Sequence, residues 1–125
     1  MAELFHDQRE LLVIVIRDPA LRSALVGELS LDGESLLTLN APQLPRAIGP
    51  ISPRPAILIA DIDEPGDEFH ELRMLYPWDL ILVAHDRDEI ADAGEPILVV
   101  ERRDALTLIP AALASWRRAH HPVAV

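Results

Sequence analysis

The stretch "LLVIVIRDPALRSAL", Leu11 to Leu25, decides the fold, because a run of six apolar residues turns at once into helical spacing. Unbroken leucine and β-branched runs are typical of strands that are covered on both faces, as in a parallel sheet. Asp18 suits the N-cap of the helix that follows, and Pro19 suits its first position. The stretch therefore predicts a strand and a helix, with Arg17 and Asp18 in the turn between them.

The same alternation continues along the chain. Further apolar strands are predicted at 56–60, 80–84 and 97–100, with a weaker one at 35–39. Helical patterns follow these strands at 41–49, 67–76 and 86–94, and a last one places Leu106, Ile109, Leu113 and Trp116 on one face. Pro110 implies that the last helix either begins near Thr107 or is kinked. Strands that alternate with helices predict an α/β fold with an open, doubly wound, five-stranded parallel sheet.

Length, charge and cysteine content narrow the class of protein. The 125 residues, half of them apolar, suit one domain over 1–125 with a core at about 10–118. The net charge of -10 disfavours nucleic acid and anionic membranes as partners. The chain has no cysteine, no signal-peptide pattern and no apolar run long enough to span a membrane. We therefore expect a cytoplasmic domain without disulfides or thiolate metal sites.

A site is expected at the carboxyl ends of the strands, where doubly wound sheets form their crevice. Asp61 follows directly on five apolar residues, and a carboxylate there serves as metal ligand, nucleophile or ion-pair partner. Asp18 also has a structural role as a helix cap, and Asp63 fits a solvated acidic loop. His70 and His85 lack a second ligand at suitable spacing, so no zinc site is expected.

Four segments, "RDPALRSAL", "LIADIDEPG", "ILVAHD" and "LVVERRDAL", resemble in order the signature segments of the CheY-like receiver domain of response regulators. The resemblance covers about residues 10–118. It implies a phosphoryl-accepting aspartate after strand three, and Asp61 with Pro65 four residues later matches the Asp-x-x-x-Pro motif. With Asp63 between them, "DIDEP" is also similar to the receivers of some transcription antitermination regulators. In the family, a histidine kinase supplies the phosphoryl group, and an acidic pair after strand one helps to hold Mg²⁺.

Other positions depart from the family pattern. The acidic pair is replaced by Ile16 and Arg17. The hydroxyl residue at the end of strand four is Val83, and the aromatic switch position on strand five is Leu98. The lysine that follows strand five is replaced by Glu101. Of these functional positions, the acceptor aspartate alone keeps its family residue.

The two reversed charges predict an ion pair in the crevice. Arg17 is expected to pair with Asp61 and with Glu101, because a guanidinium offers Mg²⁺ no ligand and keeps its charge. We therefore expect a pseudo-receiver in two-component signalling that is not an enzyme and needs no cofactor or metal. It would act by phosphorylation-independent contact with a protein partner, such as a histidine kinase or an effector protein.

Two alternatives stay open at this stage. In the first, the chain is a stand-alone response regulator that is phosphorylated on Asp61, with Asp18 reaching Mg²⁺ through a shift of the loop after strand one. In the second, it is a small flavodoxin-like enzyme or cofactor binder, although no Gly-rich loop follows strand one.

The segment between strands four and five is short for the family. Residues 85–96 predict a shortened fourth helix. In receivers, that helix forms the dimer and effector surface together with strand five and the last helix. A shorter helix would leave apolar area exposed there and would favour a homodimer, unless Ile90 and its neighbours fill the gap.

Overall fold

The central element is a sheet of five parallel strands. The computed structural model describes residues 10–51, 54–62, 67–86 and 96–120. The strands are β1 (Leu11–Val15), β2 (Leu36–Thr38), β3 (Ala56–Asp61), β4 (Leu80–His85) and β5 (Ile97–Glu101). Their order in the sheet is β2-β1-β3-β4-β5, and every neighbouring pair is parallel. The predicted α/β, CheY-like sheet is confirmed.

Four helices cover the sheet in the described part of the chain. They are α1 (Pro19–Leu31), α2 (Leu44–Ile51), α3 (Asp67–Met74) and α4 (Ala105–His120). The predicted helix at 41–49 begins instead with a 3₁₀ turn, Ala41–Gln43. A second 3₁₀ turn, Arg102–Asp104, runs directly into α4, so this helix begins before Thr107 and holds Pro110 inside it. The predicted short fourth helix at 86–94 lies outside the described ranges except for its first residue.

The apolar strands divide their side chains between two cores because neighbouring residues point to opposite faces of a sheet. Leu12, Ile14 and Ile16 pack with Leu25 and Leu29 of α1 and with the buried residues of α4. On the other face, the core contains Leu11, Val13, Val15, Leu44 of α2, and Phe69 and Leu72 of α3. Burial on both faces explains why these strands lack polar alternation.

Both ends of α1 are capped. The Asp18 carboxylate accepts the N–H groups of Ala20 and Leu21 at 3.0 and 3.4 Å, as the sequence predicts. At the other end, Gly33 has a φ of 81°, a conformation that favours glycine. The N–H of Gly33 bonds to the Ser30 carbonyl and that of Glu34 to the Leu29 carbonyl, which is a Schellman motif. This turn leads the chain into β2.

Within the described ranges, no helix is long and apolar enough to cross a membrane.

Candidate functional site

Asp61 lies at the centre of the carboxyl edge of the sheet, as predicted. Val15, the last residue of β1, is paired with Ala60, so β3 extends one residue beyond its neighbour. Asp61 therefore stands beside the turn that joins β1 to α1. Its exposed fraction is 7%, which is low for a charged side chain. A carboxylate this buried needs hydrogen-bond partners.

Those partners are main-chain groups of the turn after β1. The Arg17 N–H donates to Asp61 Oδ1 at 2.8 Å, and the Asp18 N–H donates to Asp61 Oδ2 at 3.1 Å. Bonds from N–H to an ionised oxygen are stronger than bonds between neutral groups. The Arg22 guanidinium also donates to the Ile16 carbonyl at 3.0 Å. Hydrogen bonds thus hold three successive residues of the turn, Ile16, Arg17 and Asp18, and two of these bonds go to Asp61.

The contacts of Arg17 and Glu101 in the structure differ from the predicted ion pair with Asp61. The N–H of Arg17 contacts Asp61, while its side chain lies at the exposed surface. Glu101 pairs instead with Arg103, at 2.8 Å from Nε to Oε2. Among the described residues, no ion pair joins Arg17 to either carboxylate. The reason is that β1 ends at Val15, so the chain turns and presents successive amides to Asp61.

A different arginine reaches into the crevice. Arg102 follows β5 and donates from Nη2 to the Ile62 carbonyl at 2.5 Å, while its Nη1 lies 3.5 Å from Oδ1 of Asp86. The buried His85, at the end of β4, places Nδ1 3.0 Å from the same carbonyl, and a protonated Nδ1 donates at that distance. The residue after Asp61 is therefore bonded to the ends of β4 and β5. Position at a strand end is the one signal in the sequence that points to Arg102.

Two other predicted positions, Val83 and Leu98, lack the side chains of a receiver site. Val83 is fully buried in the core and has no hydroxyl group. Leu98, at the aromatic switch position, is 44% exposed on β5. Asp63 and Pro65 lie outside the described residues.

The described residues do not fit a Mg²⁺ site. This ion requires several oxygen ligands in near-octahedral order. Both oxygens of Asp61 accept N–H groups, and Oδ1 of Asp18 accepts the cap bonds of α1. In place of a second acid, Ile16 is buried and apolar. Over the described ranges, no three histidine, aspartate or glutamate side chains come together as a metal would require.

A second charged cluster, which the sequence analysis missed, lies at the opposite end of the sheet. Arg117 of α4 donates from Nε and Nη2 to Oε1 of Glu10 at 3.2 and 3.1 Å, and from Nη1 to Oε2 of Glu34 at 2.5 Å. Burial lowers the pKa of Arg117, but hydrogen bonds and attraction from Glu34 and Glu10 outweigh it and raise that pKa above its usual value. Glu10 and Arg117 are 107 residues apart, so sequence spacing gives no signal of their contact.

Comparison with known proteins supports the fold. No family model matches the chain, and neither does any curated protein. Among solved structures, it is similar to the RcsB response regulator of Salmonella typhimurium, at 17% identity and a TM-score of 0.59, over 90% of this chain and 61% of that one. It is also similar to a fragment assigned as a lipoprotein of Peptoclostridium difficile 630, at 13% identity and a TM-score of 0.57, over 87% and 98% of the two chains. The likeness to the response regulator supports a CheY-like α/β fold.

Proposed function

We propose that this chain is a pseudo-receiver, a signalling domain that acts by protein–protein contact and not by phosphoryl transfer. One observation carries the proposal. The Asp61 carboxylate is buried, and both of its oxygens accept main-chain N–H groups from a turn that closes beside it.

This arrangement opposes phosphoryl acceptance in two ways. A nucleophilic carboxylate needs an oxygen that is free to approach phosphorus, and hydrogen bonds to both oxygens make them weaker nucleophiles. Charge on the transferring group also needs a cation to stabilise it. The described residues do not fit Mg²⁺, and the nearby guanidinium of Arg102 is bonded to the Ile62 carbonyl and to Asp86.

The same bonds suit a domain that presents a constant surface. Asp61 ties β3 to the turn after β1, and the Ile62 carbonyl ties it to the ends of β4 and β5. Four strand ends are thus linked by hydrogen bonds within the chain. A histidine kinase or an effector protein is the kind of partner that such a domain would bind in the cytoplasm, while the net charge of -10 disfavours nucleic acid.

Intact-mass spectrometry after incubation with acetyl phosphate and Mg²⁺ tests the proposal. We expect no phosphoryl adduct on the wild-type chain or on Asp61→Asn. Arg17→Asp places an acid at one position of the family's acidic pair, and Arg118→Asp makes the same charge change on an exposed residue of α4 as a control.

An adduct on the wild type that is lost in Asp61→Asn would overturn the proposal and establish a phosphoaccepting response regulator. An adduct that appears in Arg17→Asp, and not in Arg118→Asp, would support it by showing that the wild-type site lacks an acid that phosphoryl transfer requires.

A further inference from the structure

The strand β5 forms an open edge of the sheet. It is the last strand in the sheet order, so within the described ranges only β4 lies beside it. Its sequence, ILVVE, is apolar up to Glu101, and its register with β4 is continuous, without a bulge. Natural sheet edges are usually protected by short length, lysine, proline or a bulge. The edge strand β2 has only three residues, whereas β5 has none of these protections.

The hydrogen bonds to β4 determine which main-chain groups of β5 face outward. The Ile81 N–H donates to the Pro96 carbonyl at 2.9 Å. Along a strand, the N–H and C=O groups of alternate residues point to the same neighbour. The main-chain groups of Leu98 and Val100 therefore bond to β4, in agreement with the register of the two strands.

The alternate residues Ile97, Val99 and Glu101 direct their main-chain groups away from β4. Glu101 is the N-cap of the following 3₁₀ turn, so its carbonyl is used there. Over the described part of the chain, no hydrogen bond is made by the N–H groups of Val99 and Glu101 or by the carbonyls of Ile97 and Val99. Beside them, the Leu98 side chain is 44% exposed. An open edge of this kind can accept a further strand.

We propose that β5 pairs with β5 of a second copy of this chain, so that two five-stranded sheets join into one. Two identical edges that are related by a two-fold axis run antiparallel. With the axis at Val99, each Val99 N–H would donate to the Val99 carbonyl of the other copy. Each Glu101 N–H would donate to the Ile97 carbonyl of the other copy. This register gives a partner to every outward group that has none in the single chain.

The side chains and charge of this edge favour a second copy as the occupant. In the proposed register, Leu98 of each copy lies opposite Val100 of the other on the same face, and this contact would cover the exposed Leu98. The chain carries a net charge of -10, but residues 96–103 contain one acid and two arginines. Pairing at β5 therefore joins two copies where acidic repulsion is weakest. The inference goes beyond the proposed function and involves no atom of Asp61.

Sedimentation velocity of the full chain over a concentration series, with amide hydrogen exchange followed by NMR, tests the inference. We expect the mass to rise from 13.9 kDa toward twice that value. The amides of Val99 and Glu101 should exchange at least tenfold more slowly where the dimer dominates. The amides of Leu98 and Val100, which bond to β4, should exchange slowly in both states.

Two substitutions disrupt the edge and keep its bonds to β4. Val99→Pro removes an outward N–H, and proline is tolerated in an edge strand at such a position. Leu98→Lys places a charge on an exposed side chain beside the pairing groups. We expect each substitution to raise the dissociation constant of the dimer at least tenfold.

Each of these variants has a matched control. Val99→Thr keeps the N–H and the β-branched side chain, and Leu31→Lys changes an 86% exposed leucine of α1. Both controls should change the dissociation constant less than twofold. Circular dichroism would show that all four variants are folded.

Three outcomes would overturn the inference. A mass of 13.9 kDa across the whole concentration series would exclude a second copy and leave the edge to a strand of another protein. A dimer in which the Val99 and Glu101 amides exchange as fast as in the monomer would mean association through helices. Equal loss of the dimer in Leu98→Lys and Leu31→Lys would mean a general effect of charge. None of these results changes the phosphorylation test of the proposed function.

Discussion

Asp61 is the residue on which the candidate site depends. The effect of its replacement by asparagine on the free energy of unfolding distinguishes the hydrogen-bonded crevice described here from a receiver crevice with several carboxylates. In Asp61→Asn, the amide NH₂ would face one of the two N–H donors, and at least one hydrogen bond would be lost. Loss of a charge-assisted bond at a buried group costs about 1–3 kcal/mol. We expect the free energy of unfolding in urea to fall by that amount.

Two further variants control this experiment. Asp104→Asn removes an exposed carboxylate and should have little effect. Arg17→Ala keeps the N–H that contacts Asp61, so it should cost less than Asp61→Asn. In a receiver crevice with several carboxylates, the same substitution would raise the free energy of unfolding, because removal of one charge there relieves repulsion. Stabilisation by Asp61→Asn would therefore contradict the arrangement described.

At the scale of single elements, each end of α1 carries an aspartate, and the two aspartates are expected to affect stability differently. Asp18 caps the N-terminus, whereas Asp32 lies at the C-terminus, where a negative charge is unfavourable. Asp18→Ala should lower the free energy of unfolding by about 1 kcal/mol through loss of the cap. Asp32→Ala should leave it unchanged or raise it. Urea unfolding followed by circular dichroism measures both changes.

Asp18→Ser provides the control for the cap, since serine accepts the same N–H groups and should retain most of the stability. Equal losses in Asp18→Ala and Asp32→Ala would contradict the capping assignment. They would mean that each aspartate acts through tertiary contacts and not through the helix.

At the scale of the whole molecule, Arg117 joins distant parts of the chain. It bonds to Glu10 before β1 and to Glu34 before β2, and its side chain is 17% exposed. Breaking a buried ion pair by removal of one partner costs about 3–5 kcal/mol, because the remaining charge stays buried. We expect Arg117→Met to lower the free energy of unfolding of the whole chain in urea by that amount.

Arg118→Met tests whether the position in the fold, rather than the loss of an arginine, causes the effect. Arg118 is exposed, so its replacement should change the free energy of unfolding by less than about 0.5 kcal/mol. Similar results for the two variants would contradict the role given to Arg117.

The pH dependence of the Arg117 contribution follows from the raised pKa of this group. A group whose pKa rises on folding stabilises the protein fully below its unfolded-state pKa, and the contribution is lost as pH rises through the folded-state pKa. For Arg117 that loss falls at strongly alkaline pH. Titration of Arg117 should therefore remove none of its contribution between about pH 6 and 9.

The architecture of the whole molecule is close to what the sequence predicts. Each strand lies within one residue of its predicted ends, because buried apolar runs mark parallel strands directly; β2 is one residue shorter at both ends. The position of Asp61 and the cap by Asp18 are also confirmed, since both follow from local order along the chain. The partners of Asp61 were not predictable in the same way.

By itself, the sequence determined the alternation of strand and helix, the parallel sheet and the edge at which Asp61 lies. Those features depend on neighbours in the chain and on the separation of apolar from polar residues. The tertiary structure alone decided that Asp61 meets the main chain of Arg17, and that Arg117 meets Glu10. These contacts join residues 44 and 107 positions apart, so they depend on strand register and helix packing, which no local pattern encodes.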